Sequence, residues 1–229
     1  MQRCIRCLSE PGYQKGIGQE LGMSFRDIHL VLASDDPFSK TTLLGLLAMK
    51  TPRSLHIRLG RTRGCLDYVG RMEVDGVRVA VGCKEMSIKW IHPPGDVVII
   101  FFNLMSQISF ENVTSKWYPD IKKFNKKIPI ILVGSRLDLR RKEGRWIRYL
   151  NLPIDTAQGE ALAVSINAIK YFEVSSDFDE TEPTQLRIME ETVRAVFRKE
   201  QEKLDNEKEK EEVKNKIKIK CIKIFRNFF

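Results

Sequence analysis

The segment IPIILVGSRLD, residues 128–138, joins a short apolar run to a polar turn. Its residues from Ile130 to Val133 are all apolar, which is typical of a strand that is buried on both faces of a sheet. Two similar runs, Ile28–Ala33 and Val97–Phe102, precede it in the chain. Because strands buried on both faces occur mainly in parallel sheets covered by helices, we expect an α/β fold.

Segments with helical character lie between and after these strands. Thr42–Met49 has the composition of a buried helix, and Phe110–Phe124 and Thr156–Ile169 have the helical spacing of apolar residues. Tyr171–Val174 is predicted to be the last strand. Beyond it, the spacing of four apolar residues predicts the buried face of a terminal helix: Leu186, Met189, Val193 and Val196.

One antiparallel hairpin is also predicted. Residues 71–81 alternate between apolar and polar around Asp75-Gly76, and Asp-Gly within such alternation is the strongest short hairpin signal. Residues 51–66 before it are basic and irregular, and no strand is predicted there. The whole pattern predicts a doubly wound, mostly parallel sheet with one antiparallel hairpin. Ligands of such folds bind at the carboxyl ends of the strands.

The bulk properties fit one domain of ordinary size with an extension at each end. The 229 residues are 42% hydrophobic and carry a formal net charge of +9. We predict an irregular N-terminal extension over residues 1–26, a folded domain over 27–199, a charged helical extension over 200–213 and a basic, apolar tail over 214–229. Neither a long apolar run nor a secretory signal is recognisable, so neither a spanning helix nor secretion is expected.

The turn after the first predicted strand has the spacing of a phosphate-binding loop. Such a loop reads Gly, four residues, Gly, Lys and Ser/Thr between a strand and a helix, and Lys40-Thr41 keeps its last two positions. Taken alone, the same residues also suit an ordinary polar turn. The candidate phosphate-binding residues are Ser34, Asp35, Asp36, Pro37, Phe38, Ser39, Lys40, Thr41 and Thr42.

Several features of this turn oppose phosphate binding. Serine stands at both glycine positions, Ser34 and Ser39, where glycine lets the backbone approach an anion closely. Pro37 removes one N–H group. Asp35 and Asp36 are expected to bring carboxylates towards the phosphates, and two like charges about 4 Å apart repel by about 1 kcal/mol in water.

The turns after the later strands carry groups that can recognise guanine. The carboxylate of Asp138 can accept hydrogen bonds from the N1–H and the exocyclic amine of guanine, and adenine lacks that donor pair. On spacing alone, an aspartate at a helix N-cap is the more common explanation. A backbone N–H in the turn Ser175-Ser176 can face the guanine carbonyl, although paired serines also occur in ordinary turns.

Three such turns in this order, with the sequence around them, resemble Rho-family small GTPases, particularly the Rac-like branch. The resemblance covers residues 27–199 and includes Glu143–Pro153, where the Rho group carries an extra helix. It implies the G domain of a P-loop NTPase, in which Asp138 reads the base and Ser135 and Arg136 replace the usual residues beside it. The most similar stretches are SFENV at residues 109–113, KWYPDI at 116–121, PIILVGSRLDLR at 129–140, GEALA at 159–163 and AIKYFEVSS at 168–176.

By the same resemblance, the positions that handle the γ-phosphate and the attacking water have changed. Arg63 stands at the switch I threonine, Ile88 at the glycine that holds the γ-phosphate, and Lys89 at the glutamine that orients water. Asp36 replaces a glycine beside the γ-phosphate. Phosphoryl transfer depends on such positioning groups, so we predict no catalytic residue and very slow or absent hydrolysis. Binding of GTP or GDP with Mg²⁺ is expected to be weak or absent, with Thr41 as the candidate metal ligand.

Two functions follow from this pattern. The first is a module that binds effector or regulatory proteins of Rho type, with nucleotide binding weakened or lost. The second is a switch that binds GTP and hydrolyses it slowly. The altered phosphate positions favour the first, and the surviving Lys40, Thr41 and Asp138 favour the second. Nucleic acid is not an expected partner, since only the C-terminal tail would suit it.

The C-terminal tail, Lys214–Phe229, interleaves cations with apolar residues and contains no acid. This pattern predicts contact with an anionic membrane surface, and a disordered basic tail is the alternative. Cys221 is a candidate acylation site, as are Cys4 and Cys7 near the N-terminus. The five cysteines lack zinc-like spacing, so free thiols in a reducing compartment are expected. Together these features predict a cytoplasmic protein that is peripherally associated with membranes.

Overall fold

The computed structural model describes residues 25–35, 60–62, 65–85, 95–143, 153–175 and 182–226. Within these ranges, seven strands form one sheet in the order β2-β3-β4-β1-β5-β6-β7. The strands are β1 Arg26–Ala33, β2 Gly60–Thr62, β3 Cys65–Val74, β4 Val77–Glu85, β5 Val97–Asn103, β6 Ile130–Ser135 and β7 Lys170–Glu173.

The helices predicted over residues 110–124 and 156–169 and the terminal helix follow the strands in the predicted order, whereas the predicted helix Thr42–Met49 and residues 144–152 of the extra helix lie outside the described residues. One continuous helical stretch consists of α1, a π-helical turn and α2, and three further helices follow. Their bounds are α1 Gln107–Asn112, the π-helical turn Val113–Trp117, α2 Tyr118–Phe124, α3 Leu137–Glu143, α4 Thr156–Ser165 and α5 Glu182–Arg226.

The strand directions confirm the mostly parallel sheet. β1 pairs in parallel with β4 and β5, and β5, β6 and β7 are parallel to one another. The antiparallel part is the hairpin of β3 and β4, to which the short strand β2 adds. The prediction of no strand over residues 51–66 was wrong, because Gly60–Thr62 pairs with Cys65–Asp67 through the backbone and carries no apolar alternation that would reveal it.

The turn of the hairpin has the conformation that its two residues predict. Asp75 and Gly76 have φ angles of 51° and 77°, and positive φ at both central residues defines a type I′ turn. This turn matches the right-handed twist of the flanking strands, so Val74 pairs with Val77 and the register is fixed from there.

Both faces of the sheet are buried, as the continuous apolar runs predict. Successive residues of a strand point to opposite faces. In β1, Leu32 contributes to the core beneath α5, and Ala33 contributes to the core beneath α1, α2 and α4. The same division occurs in β5, where Ile99 lies in the first core and Ile100 in the second.

The helix α5 is rotated slightly from the predicted orientation. Three of the four residues predicted to face the core are buried: Met189, Val193 and Val196. Leu186 is 49% exposed, so the prediction for this residue was wrong. Its place on the buried face is taken by Gln185 and Thr192, and the Thr192 hydroxyl donates a hydrogen bond of 2.6 Å to the Ile188 carbonyl. A threonine satisfied in this way can be buried in a helix at little cost.

The helix α4 ends at Ser165, four residues before the predicted end at Ile169. Asn167 adopts φ 52°, a left-handed conformation that terminates helices. The Ile169 N–H then donates to the Ile130 carbonyl at 2.8 Å, so the chain has already joined the sheet. The helix begins as predicted, because Asp155 and Gln158 form a capping box at its N-terminus.

The helix α1 begins earlier than predicted, at Gln107 and not at Phe110. Ser106 caps it, since its hydroxyl oxygen accepts a hydrogen bond from the Ser109 N–H at 3.3 Å. The helical stretch ends at Phe124, as predicted.

The helix α5 runs without a break from the domain into the C-terminal tail. The predicted boundaries at residues 200 and 214 therefore mark changes of composition and not interruptions of the helix. Every side chain described from Gln201 to Lys218 is exposed. None of the described helices has an apolar stretch long enough to cross a bilayer.

Candidate functional site

Those of the predicted nucleotide-binding residues that the structure describes lie at the carboxyl ends of β1, β6 and β7. The strands β6 and β7 are neighbours, and only β5 separates β6 from β1. A serine or an aspartate at the end of a strand is usually exposed, but four of these residues are buried: Ser34, Ser135, Asp138 and Ser175. Buried polar side chains gathered at the ligand-binding edge of a parallel sheet are typical of a binding site.

The two predicted base-reading turns are joined by backbone hydrogen bonds. The Leu137 N–H donates to the Val174 carbonyl at 3.0 Å, and the Val174 N–H donates to the Gly134 carbonyl at 2.8 Å. The Ser135 hydroxyl donates to the Phe102 carbonyl at 3.1 Å and ties the first turn to β5. The structure therefore brings Ser135 and Ser175 together, as the sequence predicts.

The first turn has an unusual backbone conformation directly before the helix that contains Asp138. Arg136 has φ 70°, which is uncommon for a residue other than glycine and often occurs at functional sites. Arg136 precedes the helix α3, and Asp138 is its second residue. The N-cap position therefore belongs to Arg136, and the N-cap explanation for Asp138 does not apply. A carboxylate can accept a hydrogen bond at each of its two oxygens, and Asp138 is buried at this edge of the sheet.

A charged network lies directly beneath these turns. The Arg140 guanidinium binds both carboxylate oxygens of Glu173, with Nη1 2.8 Å from Oε1. It also donates to the Ile154 carbonyl at 3.0 Å and to the Thr156 hydroxyl at 3.3 Å. The Tyr171 hydroxyl donates to Glu173 at 2.9 Å. Burial, reinforced by the neighbouring Glu173 charge, raises the pKa of Tyr171 above its ordinary value, so this hydroxyl stays a donor.

The carboxylate of Asp35, in the predicted phosphate turn, is paired with the helix beside it. Oδ1 lies 2.7 Å from Lys116 Nζ, and Oδ2 accepts a hydrogen bond of 2.9 Å from Asn112 Nδ2. Partial burial opposes ionisation, but the bonds from Lys116 and Asn112 outweigh it and lower the pKa of Asp35. Lys116 therefore compensates part of the negative charge that Asp35 brings to this turn.

Several predicted residues cannot be placed. Arg63, Asp36–Thr42, Ile88, Lys89, Ser176, Cys4 and Cys7 lie outside the described residues. Cys221 lies within α5, but only its backbone is described. The cysteine whose side chain is described, Cys83, is a free buried thiol, and burial raises its pKa to about 12.

Sequence reasoning missed the residues that support the site. Arg140 and Glu173 are separated by 33 positions, and Asp35 and Lys116 by 81, so no local pattern indicates that they pair. The available signal was indirect, since Arg140 ends the stretch 129–140 and Glu173 directly precedes Val174 and Ser175.

A comparison with protein families agrees with the fold. The model of the Ras family matches residues 87–197. The match contains both base-reading turns, and the predicted phosphate turn lies before it. The mixed sheet with its helices is consistent with a small-GTPase G domain. The match covers just under half of the chain, and over that stretch the chain is similar to the small GTPases, a class that generally binds GTP or GDP with Mg²⁺ and interacts with effectors and regulators.

Proposed function

We propose that this protein is a diverged Rho-type homologue of the small GTPases that acts mainly by binding other proteins. In this proposal, guanine nucleotide binding is weakened and GTP hydrolysis is lost. The observation that carries it is a contrast within one site. On the base side, Asp138 is kept and Ser135, Asp138 and Ser175 are buried, whereas the residues aligned with the γ-phosphate machinery are Asp36, Ile88 and Lys89.

The base side supports recognition of guanine. Asp138 is 7% exposed and Ser175 is 4% exposed, and hydrogen bonds hold their two turns together. Leaving a donor or acceptor unpaired at such a site costs about 1–3 kcal/mol, which favours a base whose donors match the carboxylate. Adenine does not offer that match.

The phosphate side supports loss of hydrolysis. Ile88 has a bulky side chain at the position where a glycine would let the backbone N–H reach the γ-phosphate. Lys89 cannot accept a hydrogen bond from an attacking water, because an ammonium group has donors only. Both changes remove positioning, on which phosphoryl transfer chiefly depends.

A slow nucleotide switch is the second candidate, and the Asp35–Lys116 pair favours it. Since Lys116 compensates the charge of Asp35, one of the features that oppose phosphate binding is weakened. Lys40 and Thr41 keep the residue types that bind phosphates and Mg²⁺ in a P-loop.

The partners that we propose are effector or regulatory proteins of Rho type and an anionic membrane. The membrane contact would be made by Lys214–Phe229, where cations alternate with apolar residues. In this proposal the protein is cytoplasmic and peripherally associated with the membrane.

The nucleotide content of the purified full chain tests the proposal. We expect at most a small fraction to carry guanine nucleotide by chromatography after denaturation, and no adenine nucleotide. Protein loaded with GTP should release no phosphate in a single turnover. Asp138→Asn is the matched control, since it keeps the shape of the side chain and should lose the remaining guanine nucleotide. Phosphate release at the rate of an ordinary small GTPase would contradict the proposed loss of hydrolysis. The nucleotide switch would then be the better candidate function.

A further inference from the structure

Hydrogen bonds form a closed ring around the first base-reading turn. The Leu104 N–H donates to the Ser135 carbonyl at 3.0 Å, and the Ile154 N–H donates to the Leu104 carbonyl at 2.8 Å. The Ile154 carbonyl in turn accepts from Arg140 Nη1 at 3.0 Å. Arg140 binds Glu173, and the next residue, Val174, bonds back to the turn that follows Ser135.

Two consecutive connections of this ring depend on a side chain, and Arg140 makes both: one to the Ile154 carbonyl and one to the Glu173 carboxylate. The other connections join backbone N–H groups to backbone carbonyls, which a side-chain substitution does not remove. The pair is bidentate, and its side chains are only 20% and 13% exposed. Charge-assisted bidentate pairs combine strength with a fixed geometry, which single exposed ion pairs lack.

We propose that Arg140 and Glu173 are positioning residues for the guanine base, acting through Asp138 and Ser175. Arg140 follows Asp138 by two residues in α3, and Glu173 precedes Ser175 by two residues at the end of β7. The pair therefore sets the separation of the carboxylate that reads one edge of the base and the turn that reads its carbonyl. This inference rests on the proposed base recognition.

The chemistry of the pair explains why it would control selectivity. A binding group must stay within about 0.5 Å of its productive position, and it does so only when surrounding contacts hold it. Without the ion pair, only two backbone hydrogen bonds would hold the turns together, and the distance between the turns could vary more. Guanine would lose more than adenine, because only guanine depends on both turns at once.

The experiment compares Arg140→Met with a matched control, Arg194→Met, which also removes an arginine from an ion pair. Arg194 also binds a carboxylate with two nitrogens, Asp75, but at the hairpin tip and away from the base-reading turns. Displacement of fluorescent GDP from the full chain by GDP and by ADP gives the selectivity of each variant. Hydrogen exchange of the Leu137 and Val174 amides, measured without nucleotide, reports the stability of the two turns.

We expect Arg140→Met to reduce the preference for GDP over ADP about tenfold and to speed exchange of both amides by a similar factor, and Arg194→Met to change neither. Glu173→Gln keeps the shape of the side chain and a hydrogen-bond acceptor, so it should have a smaller effect in the same direction. It replaces Arg140→Met in the experiment if Arg140→Met does not fold. An unchanged GDP preference in Arg140→Met would overturn the inference. If the wild-type chain binds no guanine nucleotide, the proposed base recognition fails, and equal amide exchange in both methionine variants would then overturn the positioning role as well.

Discussion

Lys116 Nζ lies 2.7 Å from Asp35 Oδ1, so a residue of the π-helical turn neutralises a carboxylate in the turn after β1. The same ammonium group lies 4.3 Å from the centre of the Trp117 ring, which is buried beneath it. An insertion of the π type re-aims the side chains of a helix, and such turns are frequent at functional sites. The helix thereby supports the predicted phosphate turn from the side.

Replacement of Lys116 by methionine should make the protein less stable by about 0.5 kcal/mol at neutral pH, since exposed and half-exposed pairs contribute little. The pKa of Asp35 is lower in the folded state than in the unfolded state. The stability from the pair is therefore full above the unfolded value of about 3.9 and is lost as the pH falls through the folded pKa. Urea unfolding of both proteins near neutral pH and near pH 3 should show the difference shrinking on acidification.

Lys123→Met is the control for this measurement. Lys123 pairs with Asp120 at 2.8 Å within the same helix, but it is 68% exposed. We expect a smaller loss of stability in this variant. A Lys116→Met difference that is the same at both pH values would show that the lost charge pair is not its cause.

Asp138→Ala should weaken guanine nucleotide binding by about 1–3 kcal/mol, because the two donors of the base would be left without their acceptor. Binding of adenine nucleotides should change little. Competition of GTP and ATP for a fluorescent nucleotide measures both. Equal displacement by GTP and ATP in the wild-type chain would contradict the assignment of Asp138.

Restoring the phosphate turn should tighten GTP binding at least about tenfold, equivalent to about 1.4 kcal/mol. The variant combines Ser34→Gly, Asp36→Gly, Pro37→Ala and Ser39→Gly, which removes one carboxylate and returns one N–H. Asp35 is retained, because its charge is already paired with Lys116. Unchanged affinity in a folded variant would indicate that the weak GTP binding originates in the segment that contains Ile88 and Lys89.

Gly159→Ala should destabilise the domain by about 1–3 kcal/mol through overpacking. A Cβ at this position would lie 2.2 Å from Tyr171 Cζ, and the Tyr171 ring is held by its bond to Glu173. Val164→Ala on the same helix is the control, since Val164 is 80% exposed and such changes usually stay within about 0.5 kcal/mol. Thermal unfolding of the two variants should differ clearly, and equal midpoints would contradict the packing argument.

Removal of the residues after Glu212 should abolish binding to anionic vesicles. Each of the six cations in Lys214–Phe229 would contribute about 1 kcal/mol near a phosphatidylserine surface, and the apolar residues would add burial. The charge part should weaken with salt, whereas the apolar part should persist. Sedimentation with vesicles at low and high salt tests this. Equal sedimentation of the truncated and full chains would exclude the tail as the anchor.

Local chemistry explains which parts of the fold were predictable. Asp75-Gly76 specifies its turn through the φ angles that these two residues tolerate, and the apolar runs specify strands buried on both faces. The shift of α5 could not be predicted in the same way. Thr192 is buried only because its hydroxyl finds a carbonyl within its own helix, while Leu186 is left exposed.

The candidate site was likewise predictable only in part. The order of the strands and the polar residues after them were sufficient to bring Ser135, Asp138 and Ser175 to one edge of the sheet. The ion pairs of Arg140 and Lys116 depend on tertiary distances across many residues, and a single sequence carries no signal for such distances.

Because α5 is unbroken, it leaves the domain in one fixed direction. Glu200 pairs with Arg26 at the start of β1, so the helix leaves the domain at the end opposite to the base-reading turns. From Gln201 to Arg226 it measures about 39 Å, whereas a flexible chain of equal length would span about 28 Å on average and point anywhere. A continuous helix also fixes the rotational position of the residues at its end. One residue inserted into α5 would rotate the C-terminal end by about 100° about the helix axis, and removal of one residue would rotate it by the same angle in the opposite direction.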